Sequence, residues 1–301
     1  MPSIKDLLDR YRDFKPLPTG LALRLHRADP RPRAVLFDLY GTLLISASGD
    51  IDKVKLPVDE LPAAAREFEL PFPSEPGFFA ELPARYRREV VTAREKLLQQ
   101  SESRYPEVDI LEVWTTLWRQ WVAEGAVPAM PSPEELKRAA LVFEICTNPV
   151  APMPGMRDLI PELQRAGCQL GIISNAQFYT PIICRYFLSG KWDGLSLLRE
   201  WFNPLLNFFS YRERRSKPEP ELFQEMVENL GQYGIAPAEA LLVGNDLQKD
   251  LRPAKAAGMA TVLFAGDARS LRLYGEDPAA VATEVDYQLT ELSQLKELCG
   301  L

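Results

Sequence analysis

Residues 34 to 44 read Ala-Val-Leu-Phe-Asp-Leu-Tyr-Gly-Thr-Leu-Leu, and no other stretch restricts the possible folds as strongly. The apolar run from Ala34 to Phe37 has the composition of a strand buried on both faces, as in a parallel sheet covered by helices. It ends in a carboxylate, Asp38. An Asp entering an apolar interior must be neutralised, hydrogen-bonded or paired with a cation. At the carboxyl end of a parallel strand it faces the crevice where open α/β sheets hold ligands. On this stretch alone, an Asp that merely caps the strand-to-loop turn is an equal alternative.

The rest of the chain supplies the partners that such a strand needs. Ile4, Leu7, Leu8 and Tyr11 fall at helical spacing and predict a short packing arm. From about residue 57 to Pro149 the pattern is helical with no convincing strand. One helix spans Phe78 to Gln100, and its arginines Arg85, Arg87, Arg88 and Arg94 read as a solvated face. A second carries the stripe Ile110, Val113, Trp114, Leu117, Trp118, Trp121 and Val122, opened by Asp109 with Glu112 three residues on, a capping-box variant. Its three tryptophans have the spacing that burial alone requires. A third opens at Ser132-Pro133-Glu134-Glu135, an N-cap followed by Pro at the first helical position. Beyond Pro154, helices alternate with strands at Cys168 to Ser174, Leu206 to Ser210, Ala240 to Gly244, Ala260 to Phe264 and, more weakly, near Tyr287, and Lys217-Pro218 opens the helix that carries Leu222, Phe223 and Met226. The expected fold is therefore α/β, a doubly wound, mostly parallel, Rossmann-like sheet. Residues 1 to 48 and 150 to 301 form its core, and residues 49 to 149 form an all-helical insertion. The mix of Ser, Gly and Asp from Ile45 to Pro57 predicts a flexible flap.

Composition narrows the chemistry. The chain has 301 residues, 46% hydrophobic and 26% charged, which suits globular domains. A net charge of −7 argues against a general nucleic-acid binder, which needs Lys and Arg concentrated on one face. No run approaches the roughly 20 apolar residues of a membrane span, and the charged first 13 residues do not resemble a secretory signal, so a cytoplasmic protein is expected. Cys146, Cys168, Cys184 and Cys299 are scattered without a C-x-x-C, and read as buried, inert thiols. The single histidine, His26, precedes the first strand. Multi-histidine metal sites are thereby excluded, which leaves carboxylate, Lys and Tyr as the available acid, base and ligand chemistry.

Four pieces in order carry a family resemblance: Asp38 with Gly41-Thr42, then Ile172-Ile173-Ser174-Asn175, then Lys217-Pro218, then Val243-Gly244-Asn245-Asp246 with Asp250. Each stands at a predicted strand end or just beyond it. Together they resemble the four motifs of the haloacid dehalogenase superfamily, over roughly residues 30 to 48 and 150 to 301. The resemblance implies that Asp38 is a nucleophile and that the helical insertion is a cap. It also implies that Thr42, Ser174, Asn175 and Lys217 hold a phosphate. The carboxylates Asp38, Asp246 and Asp250 would repel one another unless one is protonated or a cation sits among them. Magnesium suits such oxygen ligands. By resemblance its ligands would be the Asp38 carboxylate, the Tyr40 backbone carbonyl and the Asp246 carboxylate, supported by Asp250. As a plain structural alternative, Asp246 and Asp250 would be an N-cap and a first-turn partner of the helix dipole, and Lys217 an exposed lysine.

Tyr40 departs from the pattern, because most phosphatases of this family carry a second Asp there. A phenol can donate a proton at neutral pH but is a poor base. The leading expectation is a magnesium-dependent phosphatase of small phosphorylated metabolites acting through an aspartyl-phosphate. Two alternatives stand beside it. One is a 2-haloacid dehalogenase, which carries Tyr at this position and needs an Arg for the halide, for which Arg66 is the nearest candidate. The other is a non-catalytic ligand-binding module.

Overall fold

The computed structural model describes residues 3–25, 28, 30–47, 60–73, 77–192 and 198–301. His26 and most of the expected flap lie outside them. The strands are β1 (Ala34–Phe37), β2 (Leu44–Ser46), β3 (Val150–Pro152), β4 (Gln169–Ser174), β5 (Asn207–Phe209), β6 (Ala240–Gly244), β7 (Ala260–Phe264) and β8 (Tyr287–Leu289). The helices are α1 (Ile4–Asp9), α2 (Glu60–Glu67), α3 (Phe78–Gln100), α4 (Ile110–Ala123), α5 (Pro133–Thr147), α6 (Met156–Arg165), α7 (Tyr179–Ser189), α8 (Ser210–Glu213), α9 (Pro220–Gly231), α10 (Arg252–Ala256), α11 (Pro278–Glu284) and α12 (Leu295–Leu298).

Six strands form a parallel sheet in the order β5-β4-β1-β6-β7-β8. The apolar run of β1 needs two covered faces, and it has them. Val35 and Phe37 pack into one core cluster, Ala34 and Leu36 into the other. The chain builds outward from β1 through β4 to β5 on one side, then returns to lay β6, β7 and β8 on the other. The strand order reverses at β1, which places the crevice of a doubly wound sheet at its carboxyl end. The register aligns Phe37 with Ile172 and with Val243, so Asp38 emerges level with the ends of β4 and β6.

Within the insertion, the α4 stripe is core, as its spacing predicts. Trp114, Trp118 and Trp121 are fully buried. Phe72 stacks on Trp118 at 5.2 Å between ring centroids, and Trp121 meets Trp118 edge-on at 4.9 Å. Truncation of one such ring to Ala typically costs about 3–5 kcal/mol. Ser132 caps α5 as expected, and Glu135 adds the return bond that completes a capping box. Asp109 caps α4 by accepting from Leu111 N at 2.8 Å, but Glu112 does not complete a box and pairs instead with Arg214 at 2.9 Å.

Two expectations are corrected. Leu44–Ser46 does not begin a flap. It pairs antiparallel with Val150–Pro152, so the chain enters and leaves the insertion through a two-stranded sheet. Two three-residue strands a hundred residues apart leave no hairpin turn to read. In addition, Lys217-Pro218 stands ahead of a helix that opens at Pro220 and does not itself begin it.

A strap of chain from Ser101 to Asp109 joins α3 to α4 and lies along the core. Ser216 N donates to Tyr105 O (2.8 Å) and Glu107 N to Arg214 O (3.1 Å), while Gln177 Nε2 donates to Val108 O (2.8 Å). The strap thus covers the segments that carry Lys217 and Asn175. Among the described residues no helix is long and apolar enough to cross a membrane.

Candidate active site

The carboxyl ends of β1, β4 and β6 bring the predicted residues to one edge. Lys217 Nζ donates to Asp38 Oδ1 at 2.7 Å and to Asp250 Oδ1 at 2.5 Å, and all three side chains are buried. Asp38 keeps 11% of its side-chain exposure, so the crevice reaches it. Asp250 arrives by a π-helical turn, Leu247–Leu251, whose i to i+5 spacing returns its carboxylate to the strand end. There Oδ2 accepts from Asp246 N at 3.1 Å. Gly244 makes this approach possible, since a Cβ on it would lie 2.5 Å from Asp250 Oδ2.

Asp246 stands at the same edge with its oxygens engaged. Oδ1 accepts from Gln248 N (2.9 Å) and Lys249 N (2.7 Å), and Oδ2 from the Tyr274 hydroxyl (2.7 Å). Asp246 therefore does act as an N-cap. Two more predicted residues are committed to the framework. Thr42 Oγ1 donates to Asn245 Oδ1 at 3.0 Å, and Asn245 Nδ2 donates to Ser270 O at 2.6 Å. Asn175 and Lys217 exchange side-chain and backbone bonds at 2.7 and 3.1 Å, which fixes the loop that presents the lysine. Gly41 sits at φ +87° and a Cβ there would lie 2.5 Å from the Ser270 Cβ, so glycine is required both for conformation and for space.

Ser174 differs from these. It is the last residue of β4, it is fully buried, and its hydroxyl has no hydrogen-bond partner among the described residues. A buried hydroxyl left unsatisfied costs about 1–3 kcal/mol. A donor in that state, on the strand next to β1, is suited to a ligand oxygen.

Tyr40 turns its hydroxyl to Thr180 Oγ1 at 2.9 Å. Burial, then the nearby Glu144 carboxylate, push its pKa above the ordinary phenol value. Sequence reasoning did not single out Thr180, Glu144 or Tyr274. Thr180 follows closely on Ser174-Asn175, a proximity that could have marked it; nothing local marks the others. Arg66, the candidate halide ligand, lies exposed in the last turn of α2.

The electrostatics turn on charge balance. Three carboxylates face one ammonium, a deficit of two positive charges when all are ionised. Burial pulls Lys217 toward its neutral form, but Asp250 and Asp38 outweigh this and its pKa lies above the usual lysine value. Asp250 goes the other way. Burial raises it to about 7 despite Lys217, and Asp38 and Asp246 add to the rise. One ammonium does not satisfy this set. Among the described residues no three His, Cys, Asp or Glu side chains converge as a metal cage. Magnesium needs no such cage, since it keeps waters and takes one or two carboxylates. An all-oxygen donor set, short of two positive charges, fits it.

Comparison with known proteins agrees with this geometry. The family described as haloacid dehalogenase-like hydrolase matches residues 32–258, which include the whole cluster apart from Ser270 and Tyr274. A glyceraldehyde 3-phosphate phosphatase of Pyrococcus furiosus is 29% identical over 148 residues, covering 48% of this chain and 53% of that protein. A phosphoserine phosphatase of Thermus thermophilus is 31% identical over 176 residues, covering 58% of this chain and 64% of that one. The chain thus spans between about half and just under two thirds of these relatives. A 2-haloacid dehalogenase from Pseudomonas syringae pv. Tomato DC3000 shares the fold, with a TM-score of 0.52 at 20% identity over 89% of this chain and 98% of that one. With the family matched over more than half of its length, the chain belongs to the haloacid dehalogenase-like hydrolases.

Proposed function

We propose that this hydrolase is a magnesium-dependent phosphatase of small phosphorylated metabolites, cytoplasmic, that works through an aspartyl-phosphate on Asp38. The observation that carries the reading is the pairing of a lysine-held Asp38 with the buried Ser174 hydroxyl on the adjacent strand, which has no partner among the described residues. Similarity to two phosphatases supports it. Asp38, the Tyr40 carbonyl and Asp246 would hold magnesium, with Asp250 behind them, and the ion would supply positive charge to a phosphate in the crevice.

The chain's own groups do the rest. Lys217 orients the Asp38 carboxylate and brings positive charge to the equatorial oxygens of a phosphoryl group, where transfer needs it. Ser174 donates to one of those oxygens. Asp38 attacks phosphorus as the ester oxygen leaves. Tyr40 stays protonated, its hydroxyl held at Thr180, so it does not serve as the base for the second step. The helical insertion is the cap, and the strap at 101–109 closes it over the crevice.

Phosphate release from a panel of small phosphate monoesters, with magnesium and with chelator, tests the reading. Asp38→Asn is nearly isosteric and should abolish magnesium-dependent release while leaving the fold intact. Undiminished release by this variant would remove Asp38 from the mechanism. A second reading, 2-haloacid dehalogenation, is favoured by Tyr40 alone. Halide release from a 2-haloacid without metal would establish it.

A further inference from the structure

The loop from Gly266 to Glu276, between β7 and α11, lies beyond the residues matched by the family and carries none of its four motifs. It is nevertheless built onto the strand end that bears Asp246. Arg272 N donates to Asn245 O and Leu247 N to Arg272 O, each at 3.0 Å, a parallel bridge that brackets Asp246. Leu271 and Leu273 pack against the apolar cluster of Leu247, Leu251 and Leu263, and Arg252 holds the far end of the loop through Glu276 at 2.8 and 2.7 Å. Tyr274 sits within this anchored frame and is unlike its neighbours. Its backbone is left-handed, at φ +58°, a conformation that favours glycine. The residue remains 47% exposed, so burial of the ring does not offset that strain. What the arrangement delivers is the phenol hydroxyl, which donates to Asp246 Oδ2 at 2.7 Å. A side chain held in a disfavoured backbone region with little packing in return points to a functional constraint.

We infer that Tyr274 is a positioning residue for Asp246, its hydroxyl holding the carboxylate in the orientation that leaves an acceptor site for magnesium. The inference rests on the reading of Asp246 as a ligand of that ion. A carboxylate offers about four acceptor sites over its two oxygens. Gln248 N and Lys249 N occupy Oδ1, and Tyr274 takes one site on Oδ2, so one remains on Oδ2. Donors on both oxygens stop the carboxylate from turning about its Cβ–Cγ bond. Without the phenol, only Oδ1 is pinned. A hydroxyl also suits the post because it donates without adding a positive charge that would compete with a cation. Hydrogen bonds behind a ligating carboxylate orient it for the metal, and their loss typically weakens metal affinity about 10- to 100-fold.

The test titrates magnesium chloride into the full chain by calorimetry, for the wild type, Tyr274→Phe, Tyr274→Ala and Asp246→Asn. Phe keeps the ring and removes only the hydroxyl. Melting curves in chelator check that each variant folds. The expected result is a magnesium dissociation constant raised about 10- to 100-fold in Tyr274→Phe, and by no less in Tyr274→Ala. Asp246→Asn should abolish the same binding, which locates it. Phosphate release by Tyr274→Phe should recover toward the wild-type rate once magnesium is saturating, because the substitution removes affinity and no reacting group. Unchanged affinity in Tyr274→Phe beside a loss in Tyr274→Ala would show that the ring and not the hydroxyl matters, and would overturn the inference. Tighter binding by Tyr274→Phe would overturn it too, since the phenol would then be competing with the ion. A wild type that binds no magnesium would sink the metal reading and this inference together. A wild type that binds through Asp246, with Tyr274→Phe binding equally well, would sink this inference alone.

Discussion

Tyr40 decides how fast the proposed reaction can run. Its hydroxyl is held by Thr180 and its pKa is raised by burial, so it keeps its proton and cannot take one from an attacking water. An aspartyl-phosphate on Asp38 should then form faster than it is hydrolysed. Tyr40→Asp supplies a carboxylate able to donate and then accept, an effect worth about 10²- to 10⁴-fold when the geometry is right. The substitution also gives up the bond to Thr180 and sets a second carboxylate toward Glu144, so a stability loss of about 1–3 kcal/mol is expected alongside the gain in rate. Steady-state phosphate release, together with trapping of the phosphorylated enzyme, checks both halves. Faster release with less trapped intermediate agrees with the scheme. Equal or slower release by a folded variant counts against it, and favours the chemistry in which a tyrosine belongs at this position.

The elements that carry the site were largely legible, because each repeats a local rule. β1 is a short apolar run, β6 another; Asp38 follows the first directly and Asp246 follows the second after Asn245. The tryptophans of α4 fall on one helical face and are buried there. What escaped were contacts between distant segments. Nothing near Thr42 shows that its hydroxyl will be given to Asn245, 203 residues away. The pairing of β2 with β3 hides for the same reason, and with it a hinge. Ser46 Oγ donates to Asn148 Oδ1 (2.8 Å), Asn148 Nδ2 to Glu144 Oε1 (3.1 Å) and the Tyr179 hydroxyl to Glu144 Oε2 (2.9 Å). Both strips of the insertion are thereby tied to α7 through one buried carboxyl. Tyr40, Tyr86 and Tyr179 surround Glu144, and phenols do not neutralise a carboxylate. Burial raises its pKa in the folded state, against weaker opposing effects of Asn148 and Tyr179. The folded protein thus holds this proton more tightly than the unfolded chain. The resulting stability is fully present below the unfolded value near 4.3 and is lost as pH rises through the raised folded value. Glu144→Gln removes the titration, so its melting temperature should gain on the wild type as pH climbs through that window. Parallel melting curves across the whole window would show that Glu144 does not titrate differently on folding.

At the scale of the whole molecule, the helical insertion is held to the core at the β2–β3 hinge, through α1, where Arg10 pairs with Glu67 at 2.7 Å, and at the strap at 101–109. The strap grips the core beside Lys217. Arg214 reaches Glu112 Oε2 at 2.9 Å and Asp109 Oδ2 at 3.6 Å, while Ser103 donates to the buried Glu219 carboxylate. Each exposed ion pair contributes only about 0–1 kcal/mol, so the ion pairs by themselves make a weak latch. Closure of an insertion over a crevice excludes water and completes a site. Arg214→Glu converts two attractions into two repulsions at the edge of the strap and leaves β1 and β6 untouched. Amide hydrogen exchange should then speed up in residues 101–123, with protection in Ala34–Phe37 and Ala240–Gly244 unchanged. The Michaelis constant for a hydrolysed phosphate ester should rise more than turnover falls, because opening separates the strap from the crevice without moving Asp38 or Lys217. Unchanged exchange across the strap would mean that its backbone bonds to Arg214 and Ser216 hold it without the ion pairs. Faster exchange in β1 as well would mean that the insertion and the sheet open as one unit.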